Sequence, residues 1–276
     1  MSSLSGTIGR THTSAGDVVW EQHGDASAPP LLLLSANPGD RHDWDAVVPA
    51  LARTHRVIAL DWPGHGASPA PTPPQSASAM MYARVLAEVT EALGIHGAVV
   101  CGNSVGGYAA IRLALEHPAR VAALVLVDPG GFTRHNAITR AFCRTKGTEW
   151  VTRRIAGHFA RGYLRKKTPW TREMIARADA ERANPEQVAV DAAIWRSFAH
   201  PEHDLRARAR DLRQPTLLLW GTMDPVLPIF LDGRAARAAM PSARWRSFET
   251  GHAVHAENPT AFLAAVKPFL AEVTTP

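Results

Sequence analysis

The stretch "VVCGNSVGGYAAIRLALEHP" (residues 99–118) sets a short apolar run directly against a turn of three glycines and one serine, and an amphipathic helical pattern follows at once. Glycine is costly inside a strand or a helix, so crowding Gly102, Gly106 and Gly107 around Ser104 needs a reason. A strand that turns abruptly into a helix brings two backbones so close that the positions two before and two after the apex have no room for a β-carbon. Gly102 and Gly106 stand at those positions, and G-N-S-V-G fits the nucleophile-elbow pattern G-x-S-x-G. The apex residue is then held in a strained conformation that lifts its hydroxyl out of the turn. It also opens a helix, whose free N–H groups and dipole favour an oxyanion. Gly107 allows tighter packing of the helix on the sheet. Other glycine-loop chemistries fail here: there is no Lys-Ser/Thr for a phosphate loop and no G-x-G-x-x-G for a dinucleotide.

Working outward, short apolar runs alternate with helical patterns, as in a mostly parallel sheet covered on both faces. Upstream, "PPLLLL" (29–34) reads as a buried strand and "DWDAVVPALAR" (43–53) as the helix after it. "RVIALDWPGHG" (56–66) is a strand ending in a Pro/Gly turn, and "PAPTPPQSAS" (69–78) is a loop, since so many prolines remove donors. "SAMMYARVLAEVTEALG" (78–94) is a helix stopped by Gly94. Downstream, "VAALVLVDP" (121–129) is a strand, after which the rhythm breaks. From Phe132 to Arg213 only Arg-rich helical stretches occur. The strand pattern resumes at "QPTLLLWG" (214–221), followed by "RWRSFETGH" (244–252) and a last helix, "NPTAFLAAVKPFLAEV" (258–273). We therefore expect a core over residues 1–131 and 214–276 and a helical cap over 132–213, an insertion on the sheet.

The 276 residues, 46% of them apolar, suffice for one large core. Charge is uneven: residues 134–213 hold 18 Lys and Arg against 9 Asp and Glu, a local +9 within a net +5. The expected reading is solvated helices whose Arg side chains lie over apolar neighbours, since no nucleic-acid recognition motif accompanies the charge. No run is long enough to span a bilayer, nothing near Met1 resembles a signal peptide, and the cysteines, Cys101 and Cys143, make no disulfide framework. These features favour a cytoplasmic protein acting on a small molecule, with neither nucleic acid nor membrane as partner; they leave the oligomeric state open. "HPEHD" (200–204) is a weak metal pattern and is read as surface, so no metal is expected.

A serine needs a base and an orienting acid to be nucleophilic at neutral pH. Both should follow it, each just after a later strand, acid before histidine. "LLLWGTMDPVLP" (217–228) offers Asp224 and "FETGHAVH" (248–255) offers His252. Asp128, ending "LVLVDP", is the alternative acid, or else a turn cap. The backbone N–H groups of Asn37, in "SANPGD" (35–40), and of Val105 are the expected oxyanion donors. Trp150, Phe159, Tyr163, Trp170, Trp195 and Phe198 either line an apolar pocket, with an Arg nearby for a substrate carboxylate, or form the cap's own core.

The chain as a whole resembles the α/β-hydrolase superfamily. "LLLLSANPGDRHDW" looks like its oxyanion loop, "LDWPGHGAS" like the following strand and turn, "GNSVGG" like its elbow. "LLLWGTMDPVLP" resembles its acid segment and "GHAVHAENP" its histidine segment. The resemblance implies an eight-stranded sheet flanked by helices, a helical cap over the site, and no cofactor. The "GNS-x-GG" form and "VDPGG" are similar to hydrolases that cleave carbon–carbon bonds in ring-fission products, though the glycine-rich loop of that group is missing. Ser35-Ala36 stand where the family usually carries His-Gly. Ser104 itself argues against dehalogenase and epoxide-hydrolase chemistry, where the elbow carries Asp. The expected function is thus a serine hydrolase of a small ester-like acyl substrate. The alternatives are a C–C bond hydrolase, a non-hydrolytic enzyme (lyase, perhydrolase or cyclase) on the same site, and a triad-retaining ligand-binding protein.

Overall fold

The computed structural model describes residues 6–181 and 183–274. Its centre is an eight-stranded sheet in the order β1-β2-β4-β3-β5-β6-β7-β8. The strands are β1 (Thr7–Thr13), β2 (Gly16–His23), β3 (Pro30–Leu34), β4 (Arg56–Leu60), β5 (Ala98–Asn103), β6 (Val121–Val127), β7 (Thr216–Gly221) and β8 (Arg244–Phe248). Pairing is parallel from β4 to β8, while β1–β2 and β2–β4 are antiparallel. The helices are α1 (Val48–Leu51), α2 (Ala79–Ala92), α3 (Val105–Glu116), α4 (Ala137–Lys146), α5 (Glu149–Tyr163), α6 (Pro169–Glu181), α7 (Pro185–Ser197), α8 (Arg234–Ala239), α9 (Val254–Glu257) and α10 (Pro259–Thr274).

Parallel strands covered on both faces read as unbroken apolar runs, and the leucines of β3 show how one run feeds two cores. Side chains alternate across a strand. Leu32 and Leu34 therefore join Tyr82, Tyr108 and Ile111 on one face. Leu31 and Leu33 join Trp44, Phe262 and Phe269 on the other. The first face continues upward: Val190, Ala193 and Ile194 of α7 belong to the same cluster, so the helices between β6 and β7 are packed onto the sheet layer.

Two local features differ from the sequence reading. The β1–β2 hairpin is an additional edge element whose outer strand is largely exposed; a half-solvated edge needs no apolar run, so composition did not announce it. The expected helix over 43–53 is split into a 3₁₀ turn, Arg41–Trp44, capped by the Asp40 side chain on the His42 amide, and the short α1. Pro49 fits only the first turn of a helix, which sets the break. After α7 the chain returns along α3, where Tyr108 Oη donates to the Glu202 carbonyl (3.0 Å) and Arg208 pairs with Glu116 (3.2 Å). Among the described residues, no helix is long and apolar enough to cross a membrane.

Candidate active site

β5 ends at Asn103, α3 begins at Val105, and the single residue between them is Ser104, with φ 54° and ψ −115°. Non-glycine residues rarely adopt positive φ, and the surroundings enforce it here. A β-carbon on Gly102 would lie 2.4 Å from the Gly106 carbonyl, and one on Gly106 would lie 2.4 Å from the Leu34 carbonyl oxygen. The serine's own backbone is bonded on both sides, its N–H to the Val127 carbonyl (3.1 Å) and its carbonyl to the Gly130 amide (2.8 Å).

His252 follows β8 and Asp224 follows β7. The imidazole donates from Nδ1 to Asp224 Oδ2 at 2.6 Å, with both side chains buried. Asp224 Oδ1 accepts the amides of Val226 (2.7 Å) and Leu227 (3.2 Å), so the turn that carries the carboxylate also aims it. Between the two candidate acids, Asp224 is the one bonded to the imidazole; Asp128 lies beside Asp224 and accepts the Gly221 amide at 2.9 Å. The donor atoms of Asp128, Asp224 and His252 lie within 4.8 Å of one another. Two ligands on one tetrahedral zinc sit roughly 3.4 Å apart, so the 2.6 Å imidazole–carboxylate contact is a hydrogen bond with no room for an ion between.

Two residues that the sequence reading passed over hold the histidine loop. Asn103, one of the variable positions of the elbow, donates through Nδ2 to the carbonyls of Val127 (3.0 Å) and His252 (2.9 Å). Glu257 accepts the amides of Gly251 (2.8 Å), Ala253 (3.2 Å), Arg165 (2.9 Å) and Lys166 (2.8 Å), tying that loop to the end of α5. The His252 amide also donates to the Tyr163 carbonyl (3.1 Å). A lone acid five residues after the histidine, in "HAVHAE" (252–257), was the available signal for Glu257.

The amides of Asn37 and Val105 find no protein acceptor among the described residues. Ser35, in place of the family's usual histidine, closes the Asn37 loop on itself. Its hydroxyl donates to the Asp40 carbonyl (2.5 Å) and its carbonyl accepts Trp62 Nε1 (2.9 Å). The Asn37 side chain donates to Asp191 of α7 at 2.7 Å, linking this loop to the helices above.

Ser104, Val105, Asn37 and His252 line one cavity of about 350 Å³. Its walls include Phe159, Tyr163, Trp195 and Phe198, together with Phe142 and Leu231. Trp150 is a correction: it is 72% exposed on the outer side of α5, one turn from Arg154, whose guanidinium lies over its ring. Trp170 packs at the margin of the small cluster around Tyr163 and Met174. No Arg or Lys lines the cavity among the described residues, so the carboxylate-binding Arg expected from sequence is not on its wall. The polar wall instead carries Thr133, which donates to Asp232, and burial lifts that carboxyl to about 6. His203 corrects the surface reading of "HPEHD": it is buried against Tyr108 (4.8 Å) and Phe198 (4.6 Å), and burial pushes its imidazole down to about 3. Of the cysteines, Cys101 is buried in β5 and Cys143 faces the cavity, its thiol raised to about 11 by burial.

An elbow, a bonded acid–imidazole pair and two free amides on one cavity have recognisable company. Residues 29–259 match the family model described as the alpha/beta hydrolase fold. The chain belongs to the α/β-hydrolase family. It is 30% identical to a protein of Azorhizobium caulinodans named "Putative carbamate hydrolase RutD", over 95% of this chain and 98% of that one. It is 29% identical to a 2-hydroxy-6-oxo-2,4-heptadienoate hydrolase of Pseudomonas putida, over 98% of this chain and 99% of that one. Among solved structures, a thermophilic esterase from Thermogutta terrifontis superposes with a TM-score of 0.79 at 25% identity, covering 98% of this chain and all of that one. In this α/β hydrolase the loops that carry Ser104, Asp224 and His252 lie at the carboxyl ends of parallel strands of the eight-stranded sheet.

Proposed function

We propose that this enzyme is a serine hydrolase of small, neutral, largely apolar esters, working through an acyl-enzyme on Ser104. The observation that carries the reading is the 2.6 Å bond from His252 Nδ1 to Asp224 on the same cavity as a serine at a strained elbow. His252 Nε2 takes the Ser104 proton as the hydroxyl attacks the carbonyl, and Asp224 holds the imidazole in the required tautomer. The amides of Asn37 and Val105 receive the developing oxyanion, each worth about 3 kcal/mol of barrier. The imidazolium then protonates the leaving alcohol, and water activated by the same base releases the acid. Neutrality of the substrate follows from the walls: aromatic and aliphatic groups dominate, and the one carboxyl among them, Asp232, has no cation beside it on the lining.

A fluorophosphonate probe is expected to label one peptide, the one containing Ser104. Ser104→Ala should abolish labelling and lower p-nitrophenyl butyrate hydrolysis by about 10⁴-fold or more. Rates across p-nitrophenyl esters of increasing chain length should peak at short to medium acyl groups and fall for succinate-type anionic ones. Full hydrolysis by Ser104→Ala would end the reading. Equal or better turnover of dienoic ring-fission products would move it to carbon–carbon bond cleavage.

A further inference from the structure

A second buried carboxyl, Asp128, directly follows β6 and lies beside the Asp224–His252 pair. Its backbone is left-handed, with φ 41°, a conformation that an aspartate adopts at some cost and that structures keep where a side chain must be aimed. The donor inventory of the two carboxyls is unequal. Asp224 takes three donors: the amides of Val226 and Leu227 and the imidazole Nδ1–H. Asp128 takes one, the Gly221 amide on Oδ1. Its Oδ2 is buried with no hydrogen-bond partner, and a carboxylate oxygen of Asp128 lies within 4.8 Å of one of Asp224.

Two carboxylates in contact away from water do not both ionise. The one surrounded by donors keeps the charge, and the one with an unserved oxygen keeps the proton. Resting on the serine-hydrolase reading above, we propose that Asp128 is a positioning residue that stays protonated at neutral pH and donates from Oδ2 to the Asp224 carboxylate, steadying that acid for His252 without adding a second negative charge. Burial first, and then the charge of Asp224, push the Asp128 carboxyl well above the usual carboxylate range. The groups facing it are Gly221 at the end of β7, Asp224 in the turn after it, His252 in the loop after β8 and Glu257 of α9; Glu257 pushes it up and the Gly221 amide pulls it down. The benefit is to the imidazole. Two full charges would over-stabilise the imidazolium, and the proton would then be surrendered less readily to the leaving group.

Asp128→Asn is the decisive variant, because an amide is neutral, has nearly the same shape, and both accepts from Gly221 and donates to Asp224. Its kcat for p-nitrophenyl butyrate should stay within about threefold of wild type, and the acid limb of its kcat/KM profile should stay in place. Asp128→Ala, which removes the donor, should lower kcat about 10- to 100-fold at unchanged KM, and the Asn variant restores it. An acid limb that moves down by about a unit in Asp128→Asn would mean that a charge had been removed, and would overturn the proposal. So would an Asn variant as impaired as the Ala variant. Infrared difference spectra of wild type against Asp128→Asn at neutral pH should show the loss of one protonated-carboxyl band, also in a Ser104→Ala background; absence of that band overturns the assignment whether or not the serine reading holds.

Discussion

Two pairs of buried carboxyls, Asp128 with Asp224 and Asp40 with Asp43, are neutralised in different ways. Asp128 and Asp224 lie beneath His252, and every donor that reaches them comes from the strand ends and loops of the sheet layer. Asp40 and Asp43 lie beneath Arg177 of α6, which reaches down to Asp40 at 3.1 Å and to Asp43 at 2.6 Å. A buried acid must find a proton or a partner. Solved within one layer, the problem fixes the orientation of an imidazole. Solved across two layers, the same problem fixes how the inserted helices sit over the cavity, alongside the Asn37–Asp191 bond and the backbone amides held by Glu257.

The sharpest way to break this contrast is to remove one partner from each pair. Asp224→Ala should lower kcat by about 10⁴-fold, since the imidazole loses both its tautomer control and the charge opposite its cation, while the urea midpoint moves little. Arg177→Ala should do the reverse. Stranding two buried carboxyls costs about 3 kcal/mol at alkaline pH, less at acid pH, since burial raises both carboxyls, and turnover should fall only a few fold. Equilibrium urea unfolding and steady-state kinetics on the two variants decide it. If Asp224→Ala lost stability while keeping turnover, the roles given to the two pairs would be exchanged.

The unequal legibility of the two regions in the sequence has a physical basis. The elbow was readable because sterics demand specific residues at fixed spacing: Gly102 and Gly106 meet the backbones of α3 and β3 at distances that no β-carbon tolerates. β3, β5, β6 and β7 were readable because strands buried on both faces are apolar along most of their length, with polar side chains such as Asn103 and Thr216 only at their ends. Asp224 and His252 were readable because the turns after late strands are where such a sheet presents side chains. What sequence did not show is long-range pairing. Asp40, Asp43 and Arg177 look like ordinary charges in a polar turn and an Arg-rich helix, and 134 residues separate Asp43 from its partner. His203 looked like a surface histidine because nothing in "HPEHD" says that Tyr108 and Phe198 close over it. Trp150 failed in the opposite direction. Its size suggested burial, but its place on the outer side of α5 left it under Arg154 in solvent.

The smallest effect is in pH. Burial first, then the neighbouring Asp40, lift the Asp43 carboxyl to about 8, although Arg177 pulls the other way. A carboxyl whose folded pKa lies above its unfolded value binds its proton more tightly in the native state. Its contribution to stability is therefore fully present below about pH 4 and is lost progressively as pH rises toward 8, above which the loss is complete. Wild-type stability should accordingly fall across that window more steeply than that of Asp43→Asn, whose amide has no proton to lose and leaves Asp40 alone to face Arg177. The difference is read as the change in urea midpoint between about pH 5 and pH 8 in the two proteins. The Asp128–Asp224 pair obeys the same linkage: Asp128 keeps its proton through this range while the unfolded chain loses it, so Asp128→Asn should also flatten the slope. Parallel slopes for wild type and Asp43→Asn would mean that Arg177 neutralises both lower carboxylates outright, and that the two pairs differ in their proton count as well as in their partner.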